Sequence, residues 1–161
     1  APEFGIYSHK VLGLWLAGGA SNTGGAVILQ EFPDQDIAQL SQQIDPAAPT
    51  GLDYYPLTQK GERFPINDPE LPPRLGPRPA QDWRHLQAIF EGIAAIECRA
   101  YRRLAELGAP ALSTIRSLGG GAQDRAFTAI RLNRLGVQPR KPLSGEAAMG
   151  AAILAQKGMR G

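Results

Sequence analysis

Cysteine is almost absent from this chain of 161 residues, which carries one thiol at Cys98. A single cysteine can form neither a disulfide framework nor a cysteine-based metal site. Histidine is nearly as rare, and we expect His9 and His85 to be surface or strand residues rather than zinc ligands or general bases. These shortages predict a protein of the reducing cytoplasm that makes no metal site from its own side chains.

Long apolar runs are also missing. No stretch of about 18 uninterrupted apolar residues occurs, so the sequence predicts no membrane-spanning helix and no membrane partner. Hydrophobic residues make up 43% and charged residues 20% of the chain, which is the balance of a globular domain. A chain of this length is expected to fold as one domain and to bury about two thirds of its unfolded surface.

Prolines are concentrated in residues 45–79, a segment that we call the excursion. Nine of the 14 prolines lie there, and the segment shows little periodicity. Because proline removes a backbone donor and breaks helices, we predict an ordered loop or extended structure and no helix. Tyr54, Tyr55 and Phe64 indicate that the excursion packs onto another element.

Outside the excursion, the hydrophobic pattern predicts strands that alternate with helices. In chain order these are extended segments at 6–10 and 11–17, short helices starting near 26 and at 36–43, a long helix at 81–107, a strand at 113–118, a helix at 124–135, a strand at 137–141 and a helix at 147–156. Ser21, Asn22 and Thr23 are candidate caps of the first helix. This order predicts an α/β domain with a mixed central sheet flanked by helices.

Two glycine loops lie between a predicted strand and a predicted helix, at 18–25 and 119–122. Without Cβ atoms the backbone can approach a ligand closely, and the helix that follows offers free N–H groups to a phosphate. Neither loop has the spacing of a P-loop or of the dinucleotide fingerprint. From the residues alone, a tight structural turn and a phosphate-binding loop therefore both stay open for each of them.

Three motifs follow one another along nearly the whole chain: Trp15–Gly25, Gly61–Pro69 in the excursion and Gly119–Gln123, with Leu135–Val137 and Glu146–Ala152 downstream. In this order and at this spacing they resemble the C-terminal lobe of the FGGY carbohydrate kinases. The first motif, together with Gly5–His9 before it, is most similar to the ribulose and xylulose kinase branch. The resemblance implies a ribonuclease-H-like lobe of the actin-like ATPase type, with ATP bound in the cleft between two lobes.

The same resemblance assigns the glycine loops to the nucleotide and makes residues 1–161 the C-terminal nucleotide-binding lobe. Asp124 stands where the family often has Asn, and Asp cannot donate an amide hydrogen bond, so we expect a different adenine or ribose contact there. Phe127 is close to a position where Trp is common, and we expect it to pack beside the base. The implied cofactors are ATP and Mg²⁺. The implied nucleotide-binding residues are Gly24 and Gly25 in the first loop, Gly120, Gly121 and Ala122 in the adenosine-side loop, and Asp124.

A catalytic residue is missing under this resemblance. In the family the catalytic Asp lies just upstream of the segment that begins here, and the sugar site belongs mainly to the other lobe. We therefore expect no catalytic residue, no metal ligand and no activity in the chain alone. Its implied partners are the N-terminal sugar-binding lobe of the same kinase and a pentulose such as ribulose or xylulose. Glu62, Arg63 and Asp68 are expected to pin the excursion through ion pairs or hydrogen bonds, and Glu146 to lie in the first turn of a helix.

Two other functions stay open. Between 116 and 141 six Lys or Arg side chains face one acidic residue, Asp124, which supports a non-enzymatic module that holds nucleic acid. Phe127 is the lone aromatic residue there, whereas single-strand binders use several, so nucleic acid is the less favoured partner. The third hypothesis is a structural lobe that serves protein–protein contacts, and an exposed apolar patch would then predict a homo-oligomer.

Overall fold

The computed structural model describes residues 1–11, 13–142, 144 and 147–158. Its strands are β1 (Ile6–Val11), β2 (Leu14–Gly19), β3 (Thr114–Ile115) and β4 (Gln138–Pro139). Its α-helices are α1 (Gly25–Glu31), α2 (Ile37–Ser41), α3 (Asp82–Glu106), α4 (Arg125–Leu135) and α5 (Ala147–Gly158), and short 3₁₀ turns lie at Pro2–Phe4 and Gly120–Gln123. The mixture of helices and strands confirms the α/β class. The prediction for Glu146 concerns a residue outside the described ones.

The strands do not form the single central sheet that the sequence predicts. Within the described ranges they make two separate sheets of two strands each. Strands β1 and β2 form an antiparallel hairpin in which Ile6 lies opposite Gly19, whereas β3 and β4 pair in parallel with Thr114 opposite Gln138. The second ladder has two residues in each strand, and the N–H of Arg140, just after β4, donates to the carbonyl of Ile115 at 2.7 Å.

The core lies along α3, a helix of 25 residues. Leu86, Ile89 and Phe90 on its buried face are at most 2% exposed, in keeping with the predicted three- and four-residue spacing. They belong to one cluster with Val27 of α1 and Phe32 at its end, and α4 contributes to the same cluster. Burying a side chain of this size contributes about 1.5–3 kcal/mol, so α3 is the main support of the domain.

The excursion is ordered and packs against α3, as predicted. Tyr54, Tyr55 and Phe64 are 2%, 6% and 3% exposed. A Cβ atom at Gly92 of α3 would lie 2.8 Å from Cδ of Pro56 and 2.9 Å from the carbonyl oxygen of Tyr54. Only glycine therefore allows the excursion to approach the helix this closely.

His85 is a buried helical residue, so its prediction as a surface or strand residue is wrong. Its side chain on α3 is 1% exposed, with Nδ1 3.1 Å from the Tyr54 hydroxyl and Nε2 2.9 Å from Oε2 of Glu31. Arg78 binds the same Glu31 oxygen at 3.0 Å. The partners of His85 lie on α1 and in the excursion, far from it in sequence. The residues next to His85 therefore do not predict its burial. His9 lies exposed on β1, as predicted.

Within the described ranges, no helix has the length and the apolar character needed to cross a membrane.

Candidate functional site

Both glycine loops line one pocket with a volume of about 1040 Å³. We call it the glycine-loop pocket. The loops come from distant parts of the chain, and α3 and α4 supply the wall between them. All six residues that the family resemblance implied for the nucleotide line it, namely Gly24, Gly25, Gly120, Gly121, Ala122 and Asp124. The structure thus brings the predicted residues together, while nucleotide binding by them stays a prediction.

The polar residues of the first loop do not cap α1, so that prediction is wrong. The N-cap of α1 is Gly24, and it makes no side-chain cap hydrogen bond. Ser21 and Asn22 instead bond to Glu62, which lies in the excursion. Thr23 also bonds to the excursion, because its hydroxyl donates to the carbonyl of Pro56 at 2.6 Å. The excursion, and not the helix, therefore holds this loop.

Glu62 is the centre of that attachment. Its side chain is buried, at 2% exposure. Oε1 accepts from the backbone N–H groups of Asn22 at 2.7 Å and Arg63 at 2.9 Å, and Oε2 accepts from the hydroxyls of Ser21 at 2.6 Å and Tyr55 at 3.0 Å. Burial, and then the Glu62 carboxylate, hold the pKa of Tyr55 well above its ordinary value.

Arg63 and Asp68 complete the attachment of the excursion. Nε of Arg63 donates to Oδ1 of Asn22 at 2.7 Å, and Nδ2 of Asn22 donates to the carbonyl of Gly61 at 3.0 Å. Glu62 and Asp68 pair their backbones in an antiparallel bridge. These contacts confirm that Glu62, Arg63 and Asp68 pin the excursion, and they do so through hydrogen bonds.

Gly24 has a backbone conformation that other residues rarely adopt, with φ 146° and ψ −160°. Such a conformation costs a non-glycine residue about 1–3 kcal/mol. Gly25 follows as the first residue of α1 with an ordinary φ. Helix α1 has only seven residues, so its dipole is a weaker argument for phosphate binding than the sequence suggested.

The second loop ends in a helix cap made by Asp124. Oδ1 of Asp124 accepts from the backbone N–H of Phe127 at 2.8 Å, and Gly136 ends α4 in the left-handed conformation. Such a cap contributes about 1 kcal/mol. Because this carboxylate already places a negative charge at the start of α4, that helix end suits an uncharged part of a ligand better than a phosphate.

The floor of the pocket beside this loop is apolar and aromatic. The rings of Phe127 and Phe90 pack with centroids 4.9 Å apart. A Cβ atom at Gly121 would lie 3.2 Å from Cε1 of Phe127, so the loop rests against that ring. Ile93 and Ile96 of α3 line the same pocket. This surface suits a flat apolar group such as a base.

A charged pair in the pocket wall was not found from the sequence. Arg131 of α4 binds Glu97 of α3 through two hydrogen bonds, Nε–Oε2 and Nη2–Oε1, each 2.7 Å long. Its third contact is from Nη1 to the Ser117 hydroxyl at 2.9 Å. The hydrogen bonds to Glu97 hold the pKa of Arg131 above its ordinary value. The partners lie on different helices, and their spacing in sequence carries no signal.

Arg116 is the second cation of the pocket wall. Its side chain is exposed and makes no hydrogen bond or ion pair with any residue that the structure describes. Arg131, by contrast, is already neutralised by Glu97. Arg116 therefore offers the guanidinium that an anionic ligand in the pocket could bind.

The acidic side chains of the pocket decide whether the described residues could bind a metal ion. Among the described residues, no group of three or more His, Cys, Asp or Glu side chains could hold a metal ion. The two acidic residues of the pocket, Glu97 and Asp124, are engaged with Arg131 and with the α4 cap. The described residues thus do not fit a Mg²⁺ cage of their own.

Solved structures of several kinases share the fold. A xyloylose kinase from Brucella ovis aligns with a TM-score of 0.80 and 23% identity over 96% of this chain and 34% of that one. A ligand-bound xylulose kinase from Lactobacillus acidophilus aligns at 0.71 and 20%, over 96% of this chain and 33% of that one. A xylulose kinase from Rhodospirillum rubrum aligns at 0.57 and 22%, over 93% and 33%. The chain spans about a third of the length of these kinases.

The family itself follows from the sequence match. The model of the FGGY family of carbohydrate kinases, C-terminal domain, matches residues 5–159. The match contains both glycine loops and the segment of the excursion that holds the first of them. This chain belongs to the FGGY family of carbohydrate kinases and corresponds to the C-terminal domain of that family.

Proposed function

We propose that this chain is the nucleotide-binding lobe of an ATP-dependent carbohydrate kinase, which transfers the γ-phosphate of ATP to a sugar hydroxyl. The observation that carries the proposal is the convergence of the two glycine loops on one pocket. Its volume of about 1040 Å³ has room for a nucleotide, since ligand pockets measure about 300–1,000 Å³. Glycine at these positions leaves the backbone open to close approach by a ligand.

We propose an orientation of the nucleotide from the residues that line the pocket. In our proposal the base lies against Gly121 and Phe127, where the wall is apolar. Oδ2 of Asp124 receives no hydrogen bond from the described residues and is placed to accept one from a ribose hydroxyl. The phosphates point towards Gly24 and Gly25, where the backbone is open, and pair with Arg116.

Mg²⁺ enters this proposal with the phosphates of ATP. Magnesium sites in phosphoryl-transfer enzymes use few protein carboxylates and several phosphate oxygens and waters. Because no group of three or more His, Cys, Asp or Glu side chains among the described residues could hold a metal ion, we assign the protein ligands of the metal to the rest of the enzyme.

The rest of the enzyme is also assigned outside this chain. We propose that the N-terminal lobe of the same kinase supplies the sugar site and the catalytic Asp, and that this chain alone transfers no phosphate. The motif at 15–25 favours a pentulose such as ribulose or xylulose as the sugar, and the lone cysteine favours the cytoplasm as the location.

The β1–β2 hairpin supports a role in protein contacts beside nucleotide binding. Leu14, Trp15 and Leu16 are 68%, 70% and 53% exposed in consecutive positions. An exposed apolar group of this size is typical of a surface that a partner covers. The nucleic-acid hypothesis has weaker support, because Arg131 in the basic stretch is neutralised by Glu97.

A calorimetric titration of the purified chain with ATP, ADP and adenosine tests the proposal. We expect saturable binding of all three, and loss of that binding in Gly121→Val, whose side chain would meet the Phe127 ring. Gly150→Val is the matched control, because Gly150 lies on α5 away from the pocket with open space around it. Absence of saturable binding by the folded chain, or equal loss in both variants, would contradict the proposal.

A further inference from the structure

Segment 61–64 of the excursion contacts the first glycine loop through two buried side chains, Glu62 and Phe64. Glu62 does not line the pocket. It nevertheless accepts four hydrogen bonds, two of them from Ser21 and Asn22 of the first glycine loop. A buried carboxylate requires donors of this kind, because an unpaired charge inside a protein is costly.

The contacts of Glu62 continue along the loop towards Gly24. Oγ of Ser21 donates to Glu62 and accepts from the backbone N–H of Thr23 at 3.1 Å. Thr23 in turn is tied to Pro56 through its hydroxyl. The three residues before Gly24 are therefore fixed by side chains and carbonyls of the excursion. These residues lead directly into Gly24, whose backbone conformation is open to glycine but strained for other residues.

A second contact from the same segment holds the start of the loop. The ring of Phe64 lies directly on the backbone of Gly19, where any Cβ atom would overlap it. Phe64 is 3% exposed and lines the pocket. Segment 61–64 thus contacts the first glycine loop at two points, at Gly19 and at Ser21–Asn22.

We propose that Glu62 is a positioning residue that holds the first glycine loop in the conformation that binds the phosphates of the nucleotide. The inference rests on the proposed function, since it assigns a determinant of phosphate affinity to that same site. Glu62 acts through Ser21 and Asn22 and touches no ligand. Affinity for ATP and ADP then depends on a side chain outside the pocket, whereas affinity for adenosine, which lacks phosphates, does not.

Three variants of the full chain separate positioning from plain stability. Glu62→Ala removes the acceptors for all four donors. Glu62→Gln keeps one oxygen for the backbone N–H groups of Asn22 and Arg63, so it is the conservative variant. Glu70→Ala is the matched control, because Glu70 is an exposed acid of the same excursion whose ion pair with Lys60 is 3.3 Å long. Each variant is titrated with ATP and with adenosine, and amide hydrogen exchange is followed in both loops.

We expect Glu62→Ala to lose ATP affinity by about tenfold or more, the size expected when a hydrogen bond to a charged group is lost. Adenosine affinity stays within about twofold, and the amides at 21–24 exchange faster while those of α3 do not. Glu62→Gln recovers most of the ATP affinity, and Glu70→Ala behaves as the wild type.

Three results would overturn the inference. If Glu62→Ala shows faster exchange at 21–24 but unchanged ATP affinity, the role of Glu62 is structural only. The same conclusion follows if the variant loses ATP and adenosine affinity equally and exchanges faster throughout the chain. Unchanged exchange at 21–24 in Glu62→Ala would deny the positioning itself. Failure of the wild-type chain to bind ATP would instead remove the proposed function, and the inference with it, before any variant is compared.

Discussion

Glu97 and Arg131 join α3 to α4 through two parallel hydrogen bonds of 2.7 Å in the wall of the glycine-loop pocket. Their side chains are 22% and 13% exposed, so water screens the pair only in part. The geometry is that of a bidentate guanidinium–carboxylate pair, which is the stronger kind of ion pair. It fixes the relative position of the two helices that carry the base side of the pocket.

A double-mutant cycle measures this pair. Glu97→Ala and Arg131→Ala each leave a half-buried charge without its partner, so both should lower the free energy of unfolding. The coupling energy is expected at about 1–3 kcal/mol, as for contacting charged residues. Urea denaturation of the two single variants and the double variant gives the value. The i,i+3 pair Arg103–Glu106, which is more exposed, is the control and should couple by no more than about 0.5 kcal/mol. Additive effects at Glu97 and Arg131 would contradict the prediction.

Alkaline pH should destabilise the fold through its buried tyrosines. Burial is the main cause that raises the pKa of Tyr54, Tyr55 and Tyr101, and the carboxylate of Glu62 adds to it at Tyr55. The unfolded chain then loses these protons at lower pH than the folded chain does. The contribution of these tyrosines to the free energy of unfolding is therefore constant below the ordinary tyrosine pKa of 10.0 and falls as pH rises above it.

Tyr55→Phe tests the share of one tyrosine in this pH dependence. The variant should show a smaller loss of stability above pH 10.0 than the wild type, measured by urea denaturation across the alkaline range. Tyr7→Phe is the control, because Tyr7 is 49% exposed on the hairpin. An identical pH profile for the wild type and Tyr55→Phe would exclude the proposed cause.

Gly24 and Gly25 are neighbours that should respond in opposite ways to alanine. Gly24→Ala forces a side chain into φ 146°, which should cost about 1–3 kcal/mol of stability and weaken ATP binding. Gly25→Ala adds a Cβ atom into open space at the first helical position, where alanine is favoured over glycine by up to about 1 kcal/mol. Thermal denaturation and ATP titration compare the two. Equal stability of the two variants would argue against backbone strain at Gly24.

Arg116 should contribute to ATP affinity through the phosphates. Its guanidinium has no partner among the described residues, so Arg116→Ala should leave stability unchanged. The same variant should weaken ATP and ADP binding by about tenfold, as expected for a charge-assisted hydrogen bond. Adenosine binding should not change. Arg125→Ala, at the exposed first residue of α4 outside the pocket, is the control. Equal affinities of Arg116→Ala and the wild type for ATP would remove Arg116 from the site.

Local signals in the sequence were sufficient for the helices. Helix α4 begins after Asp124 and ends at Gly136, as its cap residue and its glycine predict. Helix α3 lies within one residue of its predicted bounds because its apolar spacing and the following Gly108 are also local features. Both glycine loops were also found from local sequence. A cluster of glycines indicates where the backbone can approach a ligand closely, whatever the rest of the fold is.

Contacts between distant residues could not be predicted in this way. Ser21 has the side chain of a helix cap, but Glu62, 41 residues away, accepts its hydroxyl instead. In the sequence, Glu97 and Arg131 are 34 residues apart, and each has the pattern of a charged side chain on the solvent face of a helix. Only the packing of α3 on α4 brings the two side chains together. The prediction of a single central sheet was wrong for the same reason, because the pairing of strands depends on contacts along the whole chain. Strands β3 and β4, at two residues each, also carry little local signal.

The central claim is that the two glycine loops hold one nucleotide between them, and amide chemical shifts in the chain during an ATP titration test it most directly. We expect the amides of Gly25 and Gly121 to shift together with one dissociation constant. Gly51 lines a separate cavity of about 560 Å³ and should not shift, which makes it the internal control. Shifts confined to one loop, or shifts at Gly51 without shifts in either loop, would contradict the account.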